Sequence, residues 1–223
     1  MWCIGKMTGE YLARMEDVLS LYQLPYDEKR PVICLDELPF QMLGEKVEPL
    51  KMKSGAPQKF DYEYERRGVA SVFVAFEALT GKRLVRVYPR RTKADYCRFQ
   101  QEVSTEWSEA EMIVEVQDNL NTHNASSFYE NLPPTEAFAL MKRFEFHYTP
   151  KKGSWLNMAE LELSALSRQC LSRRIPDIGT LGGELEAIVK ERNKLEIKVK
   201  WQFTIENARE KLNRHYENVI QKT

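Results

Sequence analysis

Pro31-Val-Ile-Cys-Leu-Asp-Glu-Leu38 (PVICLDEL) is a continuous apolar run that closes on two acids. A strand with one face in water alternates apolar and polar side chains, and this run does not. It reads as a strand covered on both faces, as in the interior of an α/β sheet. Asp36 stands at its end, where burial raises a carboxyl pKa unless a cation or hydrogen bonds hold its charge. Glu37 points to the opposite face, toward supporting contacts or solvent.

Upstream, Thr8 caps a helix predicted from Gly9 to about Gln23, with Tyr11, Leu12, Met15, Val18, Leu19 and Tyr22 on one face; Leu24-Pro25 ends it. Downstream, Leu43 to Arg67 carries mixed charge, prolines and glycines without a period. It reads as a long loop with a short strand near Phe60 to Tyr64. Val69 to Leu79 and Lys82 to Tyr88 are strands around a Thr80-Gly81 hairpin turn. Thr92 and Asp95 form a capping box for a helix to about Glu106, and Glu111 to Gln117 (EMIVEVQ) is a strand ending on Asp118. Leu132-Pro133-Pro134 opens a helix to about Arg143, and Phe144 to Tyr148 is a strand.

A Pro/Lys/Gly turn then leads into GSWLNMAELELSAL, read as a helix opening near Trp155. At about 100° per residue, Asn157, Glu160, Ser164 and Arg168 share one stripe, beside an apolar arc of Leu156, Ala159, Leu163, Leu166 and Cys170. Glu160 is thus displayed beside the core-facing arc, and Glu162 lies far round from it. Helices follow from Glu184 to about Val199 and from the cap Thr204 to about Tyr216.

Lys plus Arg equals Asp plus Glu at 33 each, so any nucleic-acid contact must come from local patches. Four such patches are Arg90-Arg91, Lys142-Arg143, Lys151-Lys152 and Arg173-Arg174; Lys151 and Lys152 are best placed, immediately before the Glu160 helix. Trp155 reads as a core anchor rather than a base-stacking residue. Cys3, Cys34, Cys97 and Cys170 are scattered and only three histidines occur, which suggests neither a zinc site nor a disulfide framework. No apolar run reaches the ~20 residues that span a bilayer. A cytoplasmic protein with no membrane partner is expected.

Three strands, helix, strand, helix, strand, helix is the order of a ribonuclease H-like α/β fold: a mixed five-stranded sheet flanked by helices. The expected organisation is an N-terminal helix leading into the domain (1–30), a catalytic domain (31–175) and a C-terminal helical extension (176–223). In that order Asp36 and Asp118 end two strands, and Glu160 lies on the helix after the last strand. Three carboxylates at roughly 4 Å repel by about 4 kcal/mol per pair at an effective dielectric of 20, so they require a counter-cation to ionise together. Oxygen-only ligation suits Mg²⁺ or Mn²⁺, and two such ions serve phosphoryl transfer.

The blocks VICLDE, DYEYERRGVA, VQDNLNTH, HYTPKKGSWLNMAELELSALSRQCL and WQFTIENAREKL together resemble bacterial insertion-sequence transposases of the DDE type, in the branch akin to the mariner superfamily (the six-thirty insertion-sequence family). The resemblance runs from about Trp2 to Tyr216. It implies a catalytic and metal-binding triad of Asp36, Asp118 and Glu160, metal-dependent endonuclease cleavage of double-stranded DNA at inverted-repeat ends, and strand transfer into a TA-type target. The interval from Asp118 to Glu160 is longer than is usual in mariner-like relatives. Asn119 and His123 match the family's DN-x-x-x-H motif and are expected, with Glu37, Lys151, Lys152 and Asn157, to touch DNA or support the metal site. The resemblance also implies a homodimer in the active complex and an upstream helix-turn-helix half that reads the repeats and is absent from this sequence. The alternative function is a non-catalytic remnant that binds or regulates full-length transposase.

Overall fold

The computed structural model describes residues 7–59 and 61–220. Phe60, where the short strand was expected to begin, lies outside the described residues, as do Trp2 and Cys3. Five strands form one sheet: β1 (Val32–Glu45), β2 (Tyr64–Glu77), β3 (Lys82–Tyr88), β4 (Ile113–Gln117) and β5 (Phe144–Tyr148), in the spatial order β3-β2-β1-β4-β5. The first three are antiparallel neighbours; β4 runs parallel to β1, and β5 parallel to β4. This is the mixed five-stranded sheet expected from the sequence.

Helices cover both faces. On one side α1 (Gly9–Tyr22), α5 (Ala159–Gln169), α6 (Ile178–Lys194) and α7 (Ile205–Lys211) enclose a core with Cys34, Val72, Val74 and Val116 of the sheet. On the other, α2 (Lys93–Glu106), α3 (Ser126–Tyr129) and α4 (Pro134–Met141) pack Tyr96, Phe99, Phe128 and Leu140 against Ile33, Leu35, Phe73 and Ile113. Residues of β1 therefore alternate between two cores, which is why PVICL is apolar throughout. A last helix, α8 (Asn213–Ile220), follows α7. No helix among the described residues is long and apolar enough to cross a membrane.

The structure departs from the sequence reading in three places. The expected loop from Leu43 to Arg67 is partly strand, because β1 runs on to Glu45 and pairs with β2 from Tyr64, with a register irregularity between Gln41 and Leu43. Residues 64 to 69 of β2 are exposed, so this end of the strand carries no apolar alternation for the sequence to reveal. The helix expected from Trp155 is instead a 3₁₀ turn (Ser154–Leu156) followed by α5 from Ala159. Asn157 between them has extended backbone, and its side-chain Oδ1 accepts from the Ala159 N–H (3.1 Å), so it leads into the helix rather than sharing the Glu160 stripe. The helix expected from Glu184 starts at Ile178, capped by Asp177 through the Thr180 N–H (2.9 Å); the Gly182-Gly183 pair hides that first turn from propensity.

One buried ionic joint ties α6 to the rest. Glu162 of α5, its side chain 1% exposed, receives both Arg192 Nε and Nη2 at 2.8 Å, and Arg83 Nε of β3 at 3.1 Å. Arg83 also donates to the Ile197 carbonyl (2.5 Å), and its own backbone N–H donates to Asn193 Oδ1 (3.0 Å). Gly81, at φ +81°, turns the β2–β3 hairpin so tightly beneath this segment that a Cβ there would lie 2.7 Å from the Glu196 carbonyl carbon. Glu162→Gln removes the one carboxylate between two guanidiniums. The expected result is a loss of about 3–5 kcal/mol in urea unfolding, on the scale of a broken buried pair.

Candidate functional site

The parallel ladder between β1 and β4 is short: Val32, Ile33 and Cys34 pair with Val114, Glu115 and Val116. Two residues beyond Cys34 comes Asp36, and two beyond Val116 comes Asp118. The period of two puts both acids on the face that Cys34 and Val116 occupy, the α5 side, at the carboxyl ends of adjacent parallel strands. There β1 continues alongside β2 while β4 ends, which opens a crevice of the kind in which open α/β sheets bind ligands.

Asp36 is held from two directions. The Glu37 backbone N–H donates to its Oδ1 (2.8 Å), and Asn157 Nδ2 lies 3.5 Å from its Oδ2 while donating to the Leu35 carbonyl at 2.7 Å. Asn157, 1% exposed, thereby fastens the start of α5 to the end of β1. Glu160 sits exposed in the first turn of α5, where a negative charge is favoured by the helix dipole. Burial pushes the Asp36 carboxyl up to about 7 against the lowering hydrogen bond from Glu37, and the charges of Glu160, Glu37 and Asp118 raise it further. The three predicted acids thus share one electrostatic neighbourhood. Among the described residues no three His, Cys, Asp or Glu side chains are drawn together tightly enough to form a ready metal cage. The fit to a divalent cation is one of donor type and charge: the carboxylates around Asp36 add negative charge beside it, and a cation relieves that repulsion.

Asp118 is one-third exposed, and its Oδ1 meets His123 Nδ1 at 2.5 Å. His123 is buried, stacks on Tyr96 (centroids 4.9 Å apart) and places Nε2 3.0 Å from Glu37. Burial works against a charge on this ring, but the hydrogen bond to Asp118 and the nearby carboxylate of Glu37 outweigh it and raise the imidazole to about 9. Glu115, fully buried on the α2 side of the sheet, is raised by burial to about 8 despite a 2.6 Å hydrogen bond from Gln100. Asn119 is exposed beside Asp118.

A groove of about 760 Å³ runs from Asp118, Asn119 and Leu120 past Lys151, Lys152 and Ser154 to Thr8, Tyr11 and Arg14 of the α1 end. Lys151 and Lys152 are exposed on its wall, and Lys152 has φ 64°, a left-handed conformation that turns the chain sharply toward α5. That α1 lines this groove was not legible in the sequence, because its residues lie more than 100 positions from Asp118. Two other basic pairs serve the fold instead. Arg143 donates to the carbonyls of Ala110 (2.5 Å) and Trp107 (3.0 Å), and Lys142 lies over Phe138. Arg174 holds Glu45 and the carbonyls of Asp61, Tyr62 and Glu63, and Arg173 pairs with Glu184. Arg91 reaches Glu37 at 3.2 Å. Trp155 is a packing anchor: its Nε1 donates to the Tyr11 hydroxyl (3.3 Å) and its ring meets Phe203 edge-on.

No curated protein matches the chain. Among solved structures it is similar to the Mos1 mariner paired-end complex with Mn (13% identity, TM-score 0.55), to the Mos1 transposase paired-end complex with left transposon end (15%, 0.54) and to a pre-cleavage Mos1 transpososome (13%, 0.52). The alignments cover 99%, 99% and 100% of this chain and 65%, 65% and 66% of those chains, so the chain spans about two-thirds of their length. At these identities the likeness is one of fold, and it agrees with the ribonuclease H-like architecture read from the order of elements. The family profile described as DDE superfamily endonuclease matches residues 31–182, from the first residue of PVICLDEL to the start of α6. The chain belongs to the DDE superfamily of endonucleases.

Proposed function

We propose that this chain is the catalytic portion of a DNA transposase, cutting double-stranded DNA at the inverted-repeat ends of a mobile element and joining those ends to target DNA. The carrying observation is the placement of Asp36 and Asp118 on one face of adjacent strand ends, with the charge of Glu160 reaching Asp36, inside the region matched by the endonuclease family. In this reading residues 31–175 form the catalytic domain between an N-terminal helix (1–30) and a C-terminal extension (176–223). The enzyme acts as a homodimer, and a helix-turn-helix half reads the repeats. The complexes solved for the Mos1 relative with Mn and with Mg support divalent-metal use.

Asp36, Asp118 and Glu160 would hold Mg²⁺ or Mn²⁺, two ions in the full site, which supply activation of the attacking oxygen and neutralisation of the leaving one. The chain's own contribution is positional. Asn157 and the Glu37 N–H orient the Asp36 carboxylate, and His123 holds one oxygen of Asp118. Lys151 and Lys152 offer two phosphate contacts along the groove that Asp118 lines. Asn119, exposed beside Asp118, is placed to touch the same strand.

Three outcomes test the proposal. With the DNA-binding half supplied and inverted-repeat DNA as substrate, Mg²⁺ or Mn²⁺ should support nicking. Asp118→Asn or Glu160→Gln should lower its rate by roughly 10³-fold or more, the scale on which a principal charge-stabilising group acts; undiminished nicking in either variant refutes the triad. Asp36, with its pKa raised from 3.8 to about 7, binds its proton more tightly in the folded state, so its ionisation costs stability as pH rises from about 4 through 7. Asp36→Asn should therefore melt higher than the parent at pH 8 without metal and alike at pH 4, by a few kcal/mol at most at about 1.4 per pK unit. Changing Lys151 and Lys152 together to Ala should weaken DNA binding and flatten the slope of log affinity against log salt by about 1.8; fluorescence anisotropy across a salt series measures it.

A further inference from the structure

Glu37 is a costly residue. Its carboxylate is 2% exposed, no hydrogen bond among the described residues satisfies either of its oxygens, and its charged contacts are His123 Nε2 at 3.0 Å and the half-exposed Arg91 at 3.2 Å. A buried carboxylate with so few partners is unfavourable for folding alone. Its cost is understandable if it acts on His123.

The ring of His123 is held by a stack on one face and a hydrogen bond at Nδ1, while its buried Nε2 has the Glu37 carboxylate as a charged contact. Tyr96 stacks against it, the Tyr96 hydroxyl donates to Gln117 Oε1 (3.0 Å), and the His123 backbone N–H donates to the Leu120 carbonyl (3.0 Å), closing the turn after Asp118. One ring nitrogen then meets Glu37 and the other Asp118 Oδ1. Asp36 and Glu37 are consecutive in β1, so a single strand end sends one carboxylate to the crevice face and the next to the opposite face. From there Glu37 reaches Asp118 of the neighbouring strand through the imidazole. The end of β1 and the turn after β4 are thereby linked by side chains, Glu37 to His123 to Asp118, beyond the point where the backbone ladder stops at Cys34 and Val116.

We propose that Glu37 is a positioning residue that locks His123, and that His123 fixes one Asp118 oxygen so that the Asp36–Asp118 pair is set for a divalent cation before DNA arrives. This rests on the reading of Asp118 as a metal ligand. Arg91 closes the chain at the surface, and its exposure makes it the weakest link.

The test is Mn²⁺ binding to the full chain, read from the free-ion EPR signal without DNA. Glu37→Gln keeps the shape of the side chain and should weaken Mn²⁺ binding by about 10–100-fold, the range found when a residue supporting a metal ligand is changed. In a His123→Ala background the same change should add nothing, because its route to Asp118 is gone; an additive loss there, or wild-type affinity in the single variant, overturns the proposal. Asp118→Asn separates the two levels. If it leaves Mn²⁺ binding intact, the metal reading itself fails, whereas a loss there beside unchanged Glu37→Gln binding removes only the positioning role. Melting in EDTA verifies that each variant is folded. Should Glu37→Gln not fold, Mg²⁺ titration of the wild-type chain decides: the ring ¹⁵N resonances of His123, one of three histidines, must shift on saturation, and unmoved resonances overturn the proposal.

Discussion

The pairing of Cys34 with Val116 across two parallel strands is the constraint on which the crevice depends. Side chains alternate along a strand, so this register sends Asp36 and Asp118 to one face and Glu37 and Gln117 to the other. A slip of one residue in either strand would exchange an acid for its neighbour and dismantle the group. Three residue pairs are a short ladder to carry that burden. The two cores resist a slip, because Ile33 and Leu35 are committed to the α2 side and Cys34 to the α5 side, and each would have to leave its packed place. Asn157 then carries the register into α5 by its bond to the Leu35 carbonyl, which sets Glu160 relative to the strand ends.

Buried charge appears in this protein in two forms with different physical characters. The Arg83–Glu162–Arg192 joint is closed: opposite charges meet with bidentate geometry, water is excluded, and α5, α6 and β3 are held in one arrangement. Around Asp36 and Asp118 negative charge is instead in excess, and burial lifts the proton affinity of Asp36 toward neutrality. Sites that must accept a cation tend to be left in this unbalanced condition, with the balance supplied by the ligand. His123 offsets part of the excess from the far side of the sheet without entering the crevice.

The groove beside Asp118 joins residues of distant origin. Thr8, Tyr11 and Arg14 come from α1, whose apolar face packs on the same core as α5, and Lys151 and Lys152 come from the turn before the 3₁₀ segment. A flat sheet edge becomes a channel because two helices that never meet in sequence are driven onto one apolar surface. Two of the four basic pairs visible in the sequence were consumed in building the scaffold, with Arg143 and Arg174 bonded largely to backbone carbonyls. A run of like charge says nothing about whether a carbonyl-lined pocket waits for it.

From the sequence alone came the succession of five strands and the caps at Thr8, Thr92 and Thr204, because strand and helix periods and capping are local properties of the chain. The outer end of the β1–β2 ribbon was not legible, since residues 64 to 69 of β2 are exposed and leave no apolar rhythm. Nor could periodicity place Asn157, whose role depends on the carbonyl of Leu35 more than 100 residues earlier. Glu160 and Glu162 mark the division most sharply. Both lie in the first turn of α5, and the sequence could rank them only by angle. Tertiary structure decided their fates, because Arg83 and Arg192 arrive from β3 and α6 to neutralise and bury one, while the other stays exposed in the first turn, close enough for its charge to act on Asp36.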